Sequence, residues 1–549
     1  MGQKRTRTRS TTRSAPITGA PEGRARRTTP GTTPWWYWLA PIPLAGVLAW
    51  LGLISTHSIR YEELAESVRN VFWFDERLVY DGVYSNVGWY GTLLAAYRLF
   101  GFSLYTAKVV RLAIHVAGLF ALAAVLRRGL RAGPALVPLV VAGLSPAVLY
   151  FGTLQTSFGL DLPYAAICLW LLLATRPASP GAWSVAAAAG CGVVAMIAAM
   201  SYPVFVLYVP SLALVAVWHA RSSQAEADAT ARAGRLVAAG LAGAALPLAA
   251  VFLWVRTPEI LWHDPATGAG LFRGGGQLGF DPATIARALG LVAGDLFTRG
   301  ASYYYDVTRP DFSGAIGLIG CLGVVAWFVL LAARRRVAPL VAIAIGLLVL
   351  LGLGVPALTV DGEPGLRRST PVLAAFFAMY AFAWREARGG AGGARLRTAA
   401  LVACLLVPVA HVTHVPSLAA DLARANPFQD YQWFSVAPTP AASLDRLRAQ
   451  IEAGQRLGCP RDAAGQVVPC RLQEIYAALA GWYRWNEGRD RPIEAFDWRT
   501  GDPIPLTTEI WTSGYYPTCT RPEACRQEME RIQAELARGG AAAGSSPPR

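Results

Sequence analysis

A run of carboxylates, Glu62, Glu63, Glu66, Asp75, Glu76 and Asp81, falls within 20 positions of the sequence, interleaved with Phe72, Trp73 and Phe74. An ionised carboxylate held beside an acceptor hydroxyl is a general base. Two basic pairs are candidates for the complementary task of holding phosphate: Lys108 with Arg111, three residues apart, and the adjoining Arg367 and Arg368. Guanidinium groups offer forked donors to phosphate oxygens and stabilise charge developing on a leaving group. Asp161 follows the short polar run Gln155-Thr-Ser-Phe-Gly and is a candidate to bind an acceptor, a metal ion or a neighbouring arginine.

Each feature also has a plainer reading. A charge run on an amphipathic helix is usually a solvated face, and acids at a helix start are favoured by the helix dipole. Lys108 is long enough to snorkel to lipid headgroups. Arg367 and Arg368 have Asp361 and Glu363 nearby in sequence as ion-pair partners, and Asp161 suits a structural salt bridge. His115, one turn after Arg111 among apolar residues, reads as hydrogen-bonded packing rather than as a catalyst.

The elements that must position these residues are membrane helices. Of 549 residues, 54% are hydrophobic and only 15% charged. The apolar residues come in nearly uncharged blocks of about 17–25 residues, the length a helix needs to cross the hydrocarbon core. Eleven such blocks lie near 35–55, 104–126, 134–152, 160–175, 182–200, 202–218, 235–255, 313–333, 337–357, 370–385 and 398–415. The expected fold is therefore an all-α polytopic membrane protein with about 11 transmembrane helices, the transmembrane domain covering 35–415. The first block is long enough to span and lacks a clear cleavage site, so it reads as an uncleaved anchor.

The net charge of +15 is concentrated between apolar blocks, which argues for membrane orientation and against nucleic acid. Residues 1–34 carry Lys4, Arg5, Arg7, Arg9, Arg13, Arg24, Arg26 and Arg27 against Glu22 alone, and their composition predicts a disordered basic tail. With that tail cytoplasmic, Arg127, Arg128, Arg131, Arg232, Arg235, Arg334 to Arg336, Arg385, Arg388, Arg395 and Arg397 all fall inside, satisfying the positive-inside rule. Three sizeable segments then lie outside: 56–103, 256–312 and the C-terminal part from about 416. In this topology the outward Arg367 and Arg368 run against the charge trend and ask for a reason.

The cysteines divide accordingly. Cys168, Cys191, Cys321 and Cys404 lie in apolar blocks, whereas Cys459, Cys470, Cys519 and Cys525 lie in the exported tail, where an oxidising compartment would pair them. Three connectivities are open, Cys459 with Cys470 and Cys519 with Cys525 being favoured. Zinc is the competing reading, although the spacings lack the close pairs of a typical structural site. Residues 416–538 read as an extracytoplasmic domain with helical patterns at 441–457, 471–485 and 521–538, and 539–549 as a disordered tail. Its Trp and Tyr residues suit a domain core better than a sugar platform.

After the first block, the helical spacing from Tyr61 to Val71 puts Leu64, Val68 and Val71 on one face. Then come Tyr80-Asp-Gly, Ser85-Asn86-Val-Gly-Trp89-Tyr90, a short helix ending Tyr97-Arg-Leu-Phe-Gly101, and Arg111 inside the next block. This order of parts resembles the GT-C superfamily of lipid-dependent glycosyltransferases, in particular the branch of protein O-mannosyltransferases and the lipid A aminoarabinose transferase. In that branch an acidic motif after the first span opens a helix, a Pro-rich stretch leads to a short helix ending in Phe-Gly, and an Arg follows in the second span. Here Glu62 to Arg111 is the corresponding stretch, with Ala65-Glu66 and Arg69 matching the helix, Ser85 to Tyr90 replacing the proline stretch, and Glu62-Glu63 standing where the family has Asp-Glu. The resemblance extends over roughly 35–385 in topology and over this stretch alone in motif.

The resemblance implies transfer of a sugar from a polyprenyl-phosphate donor on the outer face of a bacterial inner membrane. It implies a first-loop carboxylate as base, ranked Glu63, Glu62, then Asp81 and Asp75. Arg367, Arg368, Arg111 and Lys108 would hold the donor phosphate. No cofactor is firmly implied, although some members of the superfamily use a divalent metal. The Phe272-Arg273-Gly-Gly-Gly276 run lacks the Lys-Ser/Thr ending of a phosphate loop, and Tyr303 to Tyr305 suit an interfacial belt. The rival readings are a transporter, which would be expected to show paired internal repeats, and a noncatalytic scaffold for envelope assembly.

Overall fold

The computed structural model describes residues 33–54, 66, 67, 71, 86–100, 104–176, 181–223, 229–255, 312–358, 369–389 and 393–423. Among these residues every regular element is helical. In chain order the α-helices are α1 Pro41–Ile54, α2 Val87–Phe100, α3 Leu104–Gly129, α4 Ala132–Gly143, α5 Pro146–Thr153, α6 Asp161–Ala174, α7 Ala182–Ser201, α8 Val209–Ser223, α9 Ala229–Val255, α10 Phe312–Ala333, α11 Pro339–Leu358, α12 Thr370–Gly389 and α13 Ala394–Ala423. Short 3₁₀ helices at Trp35–Leu39 and Pro203–Tyr208 lead into α1 and α8.

The chain is a multi-pass membrane protein by helix length and composition. Among the described residues, seven helical segments are long and apolar enough to cross a bilayer, eight if α4 and α5 count as one bent span. Four of the expected eleven blocks lie outside those seven: 134–152, 160–175, 337–357 and 370–385. The block read as 134–152 breaks by 57° between α4 and α5, where Pro146 opens the second helix and has no N–H to continue the first. The block at 160–175 yields only the 14 residues of α6, a rise of about 21 Å against a hydrocarbon core of about 30 Å. The block at 398–415 is instead part of a longer helix, α13, which continues to Ala423.

Basic side chains gather at one end of the bundle. Arg127 lies 5.7 Å from the Tyr37 ring centroid and donates to Thr33 at 3.1 Å, while Arg128 donates to the Leu173 carbonyl at the end of α6. Arg388 lies over Trp384, whose indole donates to the Pro134 carbonyl at 2.8 Å. Exposed Trp35, Trp36 and Trp38 ring the same end, the level at which amphipathic aromatics meet headgroups. The interior between the ends is apolar, with Trp327, Phe328, Phe376, Tyr380 and Trp384 packed among α10 to α13.

Glycine sets the closest helix approach. A Cβ on Gly192 of α7 would run into the Gly240 carbonyl of α9, and one on Gly243 into the Ala189 carbonyl. Without a hydrophobic drive between helices in lipid, such close backbone packing is a main source of association. Gly192→Ala is therefore expected to cost about 1–3 kcal/mol by overpacking. Thermal unfolding in detergent checks this, with Gly46→Ala as a control, because nothing lies within 4 Å of a Cβ there.

Candidate functional site

The opposite end of the bundle, where α3, α6 and α12 begin, is polar inside. Its centre is the turn 154–160 between α5 and α6. Gly159 holds φ at +74°, a left-handed conformation that a side chain disfavours, and a Cβ there would stand 2.6 Å from Phe151. That turn aims the Phe158 carbonyl at Arg111, which is fully buried on α3. Arg111 Nε donates to the Phe151 carbonyl at 2.7 Å and Nη2 to that of Phe158. One guanidinium thus spans both sides of the turn, a use that suits its fork of donors. Gly159→Ala is expected to lose about 1–2 kcal/mol from the left-handed backbone alone, and more from the Phe151 clash. Chemical denaturation of the purified protein measures the loss.

The first-loop segment docks on the same turn. Glu66 and Ser67 form a short π-helical piece and are buried. Glu66 Oε2 accepts from the Ser157 backbone N–H at 2.6 Å, and Ser67 Oγ donates to Gln155 Oε1 at 3.1 Å. Tyr97 of α2 donates to the Ser67 carbonyl at 3.0 Å, and the Trp89 indole to the Gln155 carbonyl at 3.2 Å. The expected helix ending in Phe100 is present as α2. Gly88 lets it approach α7, since a Cβ there would lie 2.6 Å from the Ile197 carbonyl.

Beside the turn, Asp161 opens α6 and is fully buried. The Tyr208 hydroxyl donates to Asp161 Oδ2 at 2.7 Å, whereas Oδ1 has no hydrogen-bond partner. Thr370, at the start of α12, lies beside both Asp161 and Tyr208 without a hydrogen bond of ordinary geometry, and Ser369 Oγ is likewise unmatched. All three unmatched atoms are completely buried. A carboxylate oxygen and two hydroxyls left in this way each cost about 1–3 kcal/mol unless a polar ligand or water meets them. Arg111 lies within electrostatic range of Asp161 and of Tyr164.

The structure thus brings Arg111 and Asp161 together. Lys108, half-buried one turn earlier on α3, donates to the Gly52 carbonyl of α1 at 3.2 Å. His115 Nδ1–H donates to the Arg111 carbonyl at 3.0 Å, consistent with packing. Glu62, Glu63, Asp75, Asp81, Arg367 and Arg368 lie outside the described residues, as do Cys459, Cys470, Cys519 and Cys525 with their expected pairings. Arg368 directly precedes the buried Ser369 in sequence. Among the described residues, no three of His, Cys, Asp and Glu converge to hold a metal ion. Tyr208 and the Ser369-Thr370 pair were not singled out by sequence, and Glu66 was seen only as part of a helix. The available signals were the polar Ser-Thr step following Arg367 and Arg368, and the spacing of Glu66 three and four residues after Glu63 and Glu62.

No family profile and no curated protein matches the sequence. Among solved structures, the crystal structure of ArnT from Cupriavidus metallidurans bound to undecaprenyl phosphate is similar, at 14% identity and a TM-score of 0.45, over 78% of this chain and 82% of that one. A likeness that remote carries no weight for chemistry, which rests instead on this chain's own residues.

Proposed function

We propose that this protein is a membrane glycosyltransferase of GT-C type, taking a sugar from a polyprenyl-phosphate donor and passing it to an acceptor at the extracytoplasmic face. The observation that carries the reading is the convergence at one bundle end. Glu66 and Ser67, within the stretch that resembles the superfamily, meet a turn held by Arg111, and that turn leads into the buried Asp161, beside which lie Tyr208 and Thr370. Glu66 and Ser67, far from the 154–160 turn along the chain, are packed against it.

The opposite end holds Arg127, Arg128 and Arg388, which by the positive-inside rule supports a reading with that end in the cytoplasm and the polar cluster outside. A lipid-borne donor arrives already activated. The protein then has to orient the two substrates, take a proton from the acceptor and stabilise the departing phosphate. In this reading Glu63, or Glu62 after it, is the base, with Asp81 and Asp75 behind them. Arg367 and Arg368 carry the donor phosphate, Lys108 assists at the lipid boundary, and Arg111 and Asp161 shape the floor of the pocket. A divalent metal, if used, would need carboxylates from the first loop in addition to Asp161.

Replacing the base should cost more than replacing its neighbours. Glu63→Gln is expected to lower sugar transfer by about 10²–10⁴-fold, the usual share of general base catalysis, with thermal stability unchanged. Transfer assays on reconstituted Glu62→Gln, Glu63→Gln, Asp75→Asn and Asp81→Asn proteins locate it. Equal turnover in all four would remove the first-loop carboxylate from the mechanism.

A further inference from the structure

Two thiols inside the bundle face each other and take no part in the proposed transfer. Cys168 lies midway along α6 and Cys191 midway along α7; the first is buried, the second partly so, and both are free thiols. The Cys168 thiol donates to the Cys191 carbonyl at 3.9 Å, and the Cys191 thiol donates back to the Cys168 carbonyl at 3.6 Å. This reciprocal pattern requires the two residues to sit directly opposite where the helices are nearest. Gly190 and Gly192 flank Cys191 and keep that stretch of α7 slim, with Gly192 fitted against α9 on the other side. A disulfide needs two Cβ atoms about 4 Å apart on facing backbones, and few helix pairs supply that.

We propose that Cys168 and Cys191 form a membrane-embedded dithiol that a lipid-soluble quinone oxidises to a disulfide, stapling α6 to α7. Two S–H bonds break and one S–S bond forms. The two electrons and two protons reduce one quinone to its quinol, so the step balances without a further reactant. The depth of the pair selects the class of oxidant, because an oxidant confined to water does not reach the middle of two apolar helices. The staple has a place to act. Asp161 lies seven residues before Cys168, about 10 Å along the helix axis, and Ser201, which meets Tyr164 of α6, lies ten residues after Cys191. Oxidation would therefore fix the hairpin whose far ends line the polar cluster. Oxidation of the pair is independent of the transfer reaction.

The test uses the full-length protein in lipid nanodiscs, treated with a decyl-substituted benzoquinone, then denatured, alkylated and digested. The expected product is a peptide pair joining Cys168 to Cys191, about two mass units lighter than its separate parts and released by dithiothreitol. Alkylation of both cysteines should fall to near zero, and the unfolding midpoint should rise. In Cys168→Ala and Cys191→Ala the remaining cysteine should stay fully alkylated and the midpoint should not move with quinone. Stoichiometric alkylation of both cysteines in treated wild type, a quinone adduct on either, or a disulfide from either to any other cysteine would overturn the proposal.

Discussion

Arg111→Ala is expected to be the most damaging single substitution at the polar end, lowering both stability and sugar transfer. The side chain is fully buried, and its guanidinium donates to the Phe151 carbonyl, which the Leu154 N–H shares, and to the Phe158 carbonyl. Removing a charged donor from such a buried contact costs about 1–3 kcal/mol. Losing the tie would also free the 154–160 turn, on which Glu66 and Ser67 are docked, so that the first loop loses its seat. Transfer is expected to fall by about 10²-fold or more, as when positioning at a reacting centre is lost. Arg111→Lys keeps the charge but not the fork, and should recover little of either property. Thermal unfolding of both variants beside wild type separates this account from a purely electrostatic one, in which lysine would restore most of the loss.

The second large effect is expected at Asp161. Asp161→Asn preserves shape while removing the charge and one acceptor, and Tyr208→Phe removes the donor that faces it at 2.7 Å. If Oδ1 and the hydroxyls of Ser369 and Thr370 are the atoms that meet substrate, Asp161→Asn should cut transfer by about 10²–10³-fold, the range for losing one preorganised polar group at a reacting centre. Tyr208→Phe should cost less, because Asp161 survives and only its orientation is relaxed. Kinetics with acceptor and donor varied separately give the assignment. A rise in KM for one substrate alone names the substrate that Asp161 touches, whereas unchanged kinetics in Asp161→Asn with lowered stability would make it a structural acid.

The helices were legible in the sequence because apolar blocks of spanning length leave few alternatives, and the Phe-Gly helix and Arg111 were legible because their order along the chain is fixed. The break after Leu144 was also written there: Pro146 follows Ser145, and a proline cannot continue the hydrogen-bond ladder. The apolar run across that break simply outweighed it when hydropathy was averaged over a window. Tyr208, Ser369 and Thr370 were not legible for a different reason. Each looks like an ordinary residue near a helix start, and only the packing of α6, α8 and α12 brings them to Asp161, at separations that no spacing rule encodes. Asp161 was legible as a costly charge but not its partner, since the residue that meets it is a tyrosine some 47 positions later rather than an arginine.

The central claim is that a polyprenyl-phosphate sugar is consumed at the end of the bundle that Arg111 and Asp161 line. The most direct measurement follows release of polyprenyl phosphate from radiolabelled donor by the wild-type protein in proteoliposomes, with Asp161→Asn and Arg111→Ala reconstituted alongside. Donor consumption by wild type, strongly reduced in both variants, is the predicted result. Intact donor across a panel of sugars and lipid chain lengths, with wild type folded and inserted, would contradict it and leave transport or scaffolding to explain the buried polar cluster.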